Sequence, residues 1–281
     1  MRMRDKVAVV TGGASGIGRR TAERFVEEGG RLVIADIQEA AAEHLCHALG
    51  AAACAIRCDV TQEADIAAAI ALAVRRWGRL DLMFNNAGRP GDPSPIEAMP
   101  AEGWDATMAV LLRSVMLGIK HAAPVMKAQG SGTIVSTASI AGLIPGSTAT
   151  AYSVAKSAVI QLTKCAALEL AEHGIRVNCV CPGAIATPIF GRSIQLPTQL
   201  DRRVAEAAQA ALTEFQPIRR EGRPDDIAEA VLYLADDRAG FVTGVALTVD
   251  GGLAAGMSPG QRERLWAPLR SAVAALAEEP G

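Results

Sequence analysis

Short runs of β-branched and other apolar residues alternate along this chain with longer Ala-rich amphipathic stretches. No other feature restricts the fold as strongly. The runs are Lys6–Thr11, Arg31–Asp36, Ala53–Asp59, Asp81–Asn85, Thr133–Thr137, Arg176–Cys181 and Val245–Val249. Helical patterning covers Gly16–Glu28, Ala40–Leu49, Gln62–Trp77, Ala101–Lys127, Ala151–His173, Leu200–Thr213 and Pro224–Leu234. Strand, helix, strand is the rhythm of βαβ units, because parallel neighbours need a crossover helix between them. The strand runs are almost continuously apolar, as expected where both faces are covered. An α/β fold is predicted, a doubly wound parallel sheet with helices on both faces. Nothing in the 281 residues reads as a linker. One domain over 1–252 is therefore expected, followed by an extension, 253–281, in which Leu265, Leu269, Val273 and Leu276 keep helical spacing.

Composition removes several function classes. The chain is 50% hydrophobic and 21% charged, a globular balance. Its formal net charge of −2, without a basic run, gives nucleic acid or an anionic membrane no electrostatic hold. The longest uncharged stretch, between Lys127 and Lys156, is rich in Gly, Ser and Thr and contains Pro145. It is not an apolar span of about 20 residues. Met1 to Lys6 is charged and the apolar Val7–Val10 is too short for a secretory signal, so a cytoplasmic protein is expected. Six scattered cysteines then read as reduced core thiols. His44 and His47 stand three apart, a metal pair or simply a helix surface; with no second pair at metal spacing, no metal is expected.

The run Thr11-Gly12-Gly13-Ala14-Ser15-Gly16-Ile17-Gly18 lies between the first strand and the first helix. Glycines there allow a tight turn and bring backbone N–H groups and the helix N-terminus against a pyrophosphate. An ordinary Gly-rich turn has the same composition. The next strand, however, ends in Asp36, where a carboxylate can accept both hydroxyls of an adenosine ribose. A solvated acid at a strand end is the other reading of Asp36. If the carboxylate does meet the ribose it repels a 2′-phosphate, and neither Ser15 nor Ile37 offers a cation to offset that. The expected cofactor is NAD rather than NADP.

Tyr152 and Lys156 are four apart on a predicted helix and so share a face. Alone, such a pair usually marks a solvated helix surface. Here it follows Ser139 by thirteen residues, just past a predicted strand. A phenol is a poor base with an ordinary pKa near 10. An adjacent ammonium and an oxidised nicotinamide ring would favour its phenolate, while Ser139 could hold the substrate oxygen.

With these motifs in order, residues 5 to 252 resemble the short-chain dehydrogenase/reductase family, of the NAD-dependent secondary-alcohol dehydrogenase type. The resemblance rests on Thr11 to Gly18, Asp59-Val60, Asn85-Asn86-Ala87-Gly88, Ser139, Tyr152 to Lys156, and Pro182-Gly183. It implies a single Rossmann-type domain that transfers hydride between nicotinamide and a carbinol carbon. Tyr152 would be the general acid/base and Ser139 the substrate-oxygen stabiliser. Lys156 would bind the nicotinamide ribose and depress the Tyr152 pKa. Gly12, Ser15, Gly16, Ile17, Gly18, Asp36 and Ile37 would hold the adenosine and pyrophosphate, with Asp59 and Val60 bordering the adenine. Asn86, Ala87 and Gly88 would line the central cleft, and Pro182, Gly183, Ile185 and Thr187 the nicotinamide end. A homotetramer packed through its long helices is also implied.

One position departs from the family pattern. Leu111 stands where a tetrad Asn usually helps to hold a water beside the Lys. Its backbone carbonyl could hold that water, or Ser114 one turn on could take over. A nicotinamide-bound sensor or scaffold with little turnover is the competing reading that Leu111 leaves open. For the substrate, Ile140, Leu143 and Ile144 after Ser139, and Ile185, Ile189, Phe190, Ile194 and Leu196 after Pro182, suggest an apolar pocket. A small apolar alcohol or ketone fits it, alicyclic, aromatic, terpenoid or steroid-like. Arg89 and Arg192 leave room for a charged substituent, and the tail could cover a neighbour's pocket mouth or cap its own subunit.

Overall fold

The structure, a computed structural model, describes residues 1–146, 148–193, 196–213 and 216–278. The first half runs β1 (Val7–Thr11), α1 (Gly16–Glu27), β2 (Arg31–Asp36), α2 (Glu39–Leu49), β3 (Ala53–Arg57), α3 (Glu63–Trp77) and β4 (Leu82–Asn85). The second runs α4 (Ala101–Met108), α5 (Ser114–Gln129), β5 (Gly132–Thr137), α6 (Thr150–Leu170), β6 (Ile175–Pro182), α7 (Ile189–Ser193), α8 (Asp201–Leu212), α9 (Pro224–Ala235), β7 (Ala246–Val249) and α10 (Pro259–Glu278). All seven strands pair in parallel, in the order β3-β2-β1-β4-β5-β6-β7. Strand order reverses between β1 and β4, and open sheets of this kind bind ligands at the carboxyl ends beside that point.

Strand β1 shows why its run had to be continuously apolar. Val7 and Val9 face the core layer shared with α3, α5 and α6, whereas Ala8 and Val10 face the layer shared with α1, α2 and α9. Each successive side chain points to the opposite face, so both parities must be apolar when helices cover both. Helix α3 carries Glu63 and Asp65 in its first turn, complementing the dipole, and ends where Gly78 turns left-handed at φ 78°. An ion network ties the helices of the second layer together. Arg2 meets Glu28 and Glu229, and Arg24 also pairs with Glu229 on α9.

The patterning over Ala101–Lys127 predicts one uninterrupted helix. The structure instead places a π turn at Ala109–Arg113, between α4 and α5. There the Ser114 hydroxyl donates to the Val110 carbonyl at 2.6 Å. A π turn inserts one residue without ending the helix, which apolar periodicity alone does not reveal. Among the described residues, Ala101–Gln129 is the one helical stretch long and apolar enough in composition to cross a bilayer. Its Leu111, Val115, Leu117, Ala122 and Met126 are buried in this fold. The six cysteines are unpaired, but only Cys58, Cys179 and Cys181 are buried; Cys46 and Cys54 are half-buried and Cys165 is exposed. The expectation that all are core thiols is corrected to that extent. His44 and His47 are exposed on α2.

Candidate active site

The loop after β1 makes a cradle of backbone. Gly12 and Gly16 take φ of 62° and 53°, conformations that side-chain-bearing residues rarely adopt. A Cβ on Gly12 would sit 2.8 Å from the Ala87 Cα, so the β1 and β4 loops touch only because no side chain intervenes. Thr11 and Asn86 lock them together. The Thr11 hydroxyl accepts the N–H groups of Asn86 and Ala87 at 3.0 and 3.1 Å. The Asn86 amide donates back to the Thr11 and Gly12 carbonyls and accepts the Thr137 hydroxyl. At the end of β2, Asp36 accepts Ala14 N–H on one carboxylate oxygen and Gln38 N–H on the other, both at 2.9 Å. Asp59 is held by the amide and hydroxyl of Thr61, which keep its carboxyl below the usual carboxylate range.

Above this floor runs a cleft of about 450 Å³ along the carboxyl ends of β1, β2, β4 and β5. With one exception, every residue expected at the cofactor lines it. The exception is Gly18, buried behind the loop, where an added Cβ would fall 2.1 Å from the Gly12 carbonyl oxygen. Its place is in close packing of helix on turn, not on the cleft wall. Sequence reasoning did not single out Gln38, Thr61, Val110 or Pro188, which also line the cleft and lie in loops or turns without a motif. A narrow backbone cradle and a buried acid at the end of β2 fit a dinucleotide.

Ser139, Tyr152 and Lys156 meet at the inner end of the cleft. The Ser139 hydroxyl accepts Ala141 N–H at 3.1 Å and so heads the short helical turn Ile140–Gly142. Gly142 lets that turn press against α6, since a Cβ there would fall 2.6 Å from the Lys156 carbonyl carbon. Lys156 is only 3% exposed and donates its ammonium to the Thr137 carbonyl at 2.6 Å. Burial lowers its pKa to about 8. The ammonium lies over the Tyr152 ring, 5.6 Å from the centroid. Tyr152 itself is shifted upward by burial, opposed by a hydrogen bond with the Ser139 side chain. Burial thus favours the protonated phenol; the depression that the resemblance implies rests on the Lys156 ammonium together with an oxidised nicotinamide ring.

A second cavity, about 830 Å³, opens on the other side of Tyr152 and Ser139. Ile140, Ile189 and Phe190 line it as expected. Leu143 and Ile144 do not: they are 42% and 37% exposed, because the chain turns outward after Gly142. Ile194 and the side chain of Arg192 fall outside the described residues, and Leu196 is exposed. The remaining wall includes 89–93, Thr107 and Leu253. Of these, Arg89 was singled out from the sequence, whereas Leu253 at the start of the tail was not.

A parallel sheet with a glycine cradle at its switch point and a Tyr–Lys–Ser group beside it defines a dinucleotide-dependent oxidoreductase. A family model described as "Enoyl-(Acyl carrier protein) reductase" matches residues 12–254. Momilactone A synthase of Oryza sativa subsp. japonica is 44% identical over 88% of this chain and 89% of its own. Cyclohexanol dehydrogenase of an Acinetobacter species is 39% identical over 89% of this chain and 95% of its own. A crystal structure of levodione reductase superposes with a TM-score of 0.82 at 35% identity, covering 91% of this chain and all of that one. The chain belongs to the short-chain dehydrogenase/reductase family and is an alcohol/ketone oxidoreductase of its nicotinamide-dependent kind.

Proposed function

We propose that this chain uses NAD to interconvert alicyclic, largely apolar secondary alcohols and their ketones, with Tyr152 as general acid/base. One observation carries the reading: Tyr152 and Ser139 line both the cofactor cleft and the second cavity, and so stand where the two meet. Bound in the cleft, NAD supplies the hydride acceptor for oxidation, and its reduced form the donor for the reverse reaction. In oxidation, the Lys156 ammonium and the positive ring of oxidised nicotinamide would favour the Tyr152 phenolate, which takes the proton of the substrate hydroxyl while Ser139 hydrogen-bonds the same oxygen and fixes its direction. Lys156 keeps a positive charge against the tyrosine ring and would hold the nicotinamide ribose.

Asp36 supports NAD over NADP. Its oxygens are fixed by two backbone N–H groups, and each keeps a lone pair for a ribose hydroxyl. The apolar walls at Ile140, Ile189 and Phe190 support an alicyclic substrate, as do relatives named for cyclohexanol and levodione. We assign the water beside Lys156 to the backbone of the π turn, because Val110 and Leu111 line the cleft. Ser114 does not, and its hydroxyl is already given to Val110. Exposed Met116, Val154 and Leu168 on α5 and α6 support a homotetramer packed through those helices. The test is a panel of alicyclic secondary alcohols with NAD and with NADP, followed by the absorbance of the reduced cofactor. Turnover with NAD is expected. Cofactor binding without turnover across the panel would overturn the reading in favour of a sensor.

A further inference from the structure

The second cavity has two charged residues on its wall, Arg89 and Asp92, both on the stretch that follows β4. They differ in what they face. Arg89 also lines the cofactor cleft, where its charge acts on Asp59. Asp92 lines the second cavity alone. Its backbone is pinned: Asp92 N–H donates to the Thr107 hydroxyl at 3.0 Å, and that hydroxyl donates to the Gly103 carbonyl at 2.8 Å. Its carboxylate is held in place, with one oxygen accepting Ser94 N–H at 2.9 Å and the other against the Gly103 Cα, where a Cβ would fall 2.1 Å away. The Ser94 hydroxyl and amide hold the carboxyl below its ordinary range, so it is ionised at neutral pH. Among the described residues no cation pairs with it. The first turn of α4, which includes Gly103, supplies only a partial positive charge, about half a unit.

An ionised, half-buried carboxylate on the wall of a cavity whose other charged residue, Arg89, is shared with the cofactor cleft can pair with a cation carried by the ligand. We propose that Asp92 is a specificity-determining residue that selects alicyclic alcohols or ketones carrying a protonated amine, its carboxylate receiving the ammonium while the oxygen-bearing carbon lies at Tyr152 and Ser139. The proposal rests on the alcohol/ketone reading above and names a substrate class within it. Gly91 fixes the spacing between the two ends, since its Cα lies where an added Cβ would be 3.0 Å from both Tyr152 N and the Thr107 side chain. Asp92 and Tyr152 are thus held on one rigid wall, and the distance from carbinol carbon to nitrogen becomes a selected property of the substrate.

The test compares N-methylpiperidin-4-ol with 4-methylcyclohexanol, rings of the same shape that differ in one protonated nitrogen. The readout is the ratio of their kcat/KM values in the wild type and in Asp92→Asn, which cancels their different intrinsic reactivity. Asp92→Asn should lower the ratio about ten- to a hundredfold, the range of a hydrogen bond to a charged group, and mainly through KM. A folded Asp92→Asn protein with an unchanged ratio overturns the proposal. Because Asp92 also anchors its loop, a second measurement uses the wild type alone. Calorimetry in the presence of NAD should show the amine binding at least about tenfold more tightly than the carbocycle, and equal affinities overturn the proposal. Turnover of methylcyclohexanol with no amine preference removes this inference and leaves the alcohol/ketone reading intact. Tight amine binding without turnover of either alcohol does the reverse.

Discussion

Consider replacing Lys156 by methionine. The lysine is 3% exposed, and burial takes its ammonium from 10.5 to about 8. At neutral pH the folded protein still carries the proton, so the site works against folding by an amount set by that depression, about 3 kcal/mol. Methionine keeps the apolar stem and discards the charge. What it loses is the hydrogen bond to the Thr137 carbonyl, and an unmet carbonyl there costs about 1–3 kcal/mol. The net expectation at pH 7 is a variant between equal in stability and about 2 kcal/mol more stable, with turnover reduced by orders of magnitude. The pH dependence follows from the sign of the shift. The unfolded chain binds this proton more tightly than the folded one between about pH 8 and 10.5, so wild-type stability rises through that window. The advantage of Lys156→Met should shrink across it. Thermal unfolding of both proteins at one fixed concentration, at pH 7 and near pH 10, measures this. A variant destabilised at pH 7 by more than about 2 kcal/mol, or a difference that does not move with pH, would refute the reasoning.

Three further outcomes are expected. Tyr152→Phe removes only the hydroxyl, so turnover should fall about 10²–10⁴-fold while NAD still binds, measured by steady-state kinetics and cofactor fluorescence titration. Asp36→Ala combined with Ile37→Arg should narrow or reverse the preference for NAD over NADP in kcat/KM; a wild type indifferent to the two would contradict the role given to Asp36. Leu111→Asn places an amide on a fully buried site against Gly88 and should lower stability by about 1–3 kcal/mol with little change in turnover, whereas Ser114→Ala should be mild in both. A large gain in turnover for Leu111→Asn would show that the natural residue limits catalysis.

Most of the fold could be read from local signals because both of its periodicities are local. Strand β2 was bounded by its apolar run and Asp36, and α3 by the helical patterning over Gln62–Trp77. The residues of the cleft could be read for a related reason: a backbone cradle needs glycines, and glycines at set spacings are visible without coordinates. Leu143 and Ile144 show where this stops. They are as apolar as Ile140, but which side of the chain faces the cavity depends on how the turn Ile140–Gly142 packs on α6, and that contact is with residues fourteen positions away. Gly18 shows the same limit from the other side, since its spacing matched the motif while its function in the fold is contact with the Gly12 carbonyl.

The sequence by itself determined the order of the elements, the parallel sheet, the cradle, and the presence of Tyr152, Lys156 and Ser139 as a chemically meaningful set. Each is encoded by residues near one another in the chain. Only the tertiary structure decided how those groups are poised. It set Lys156 against the Thr137 carbonyl and the Tyr152 ring, put Asp92 and Leu253 on the wall of the second cavity, and inserted a π turn at Leu111. These outcomes depend on burial and on approach between segments far apart in sequence. Desolvation, which governs the Lys156 and Tyr152 pKa values, is a property of everything packed around a group and is written in no single stretch of the chain.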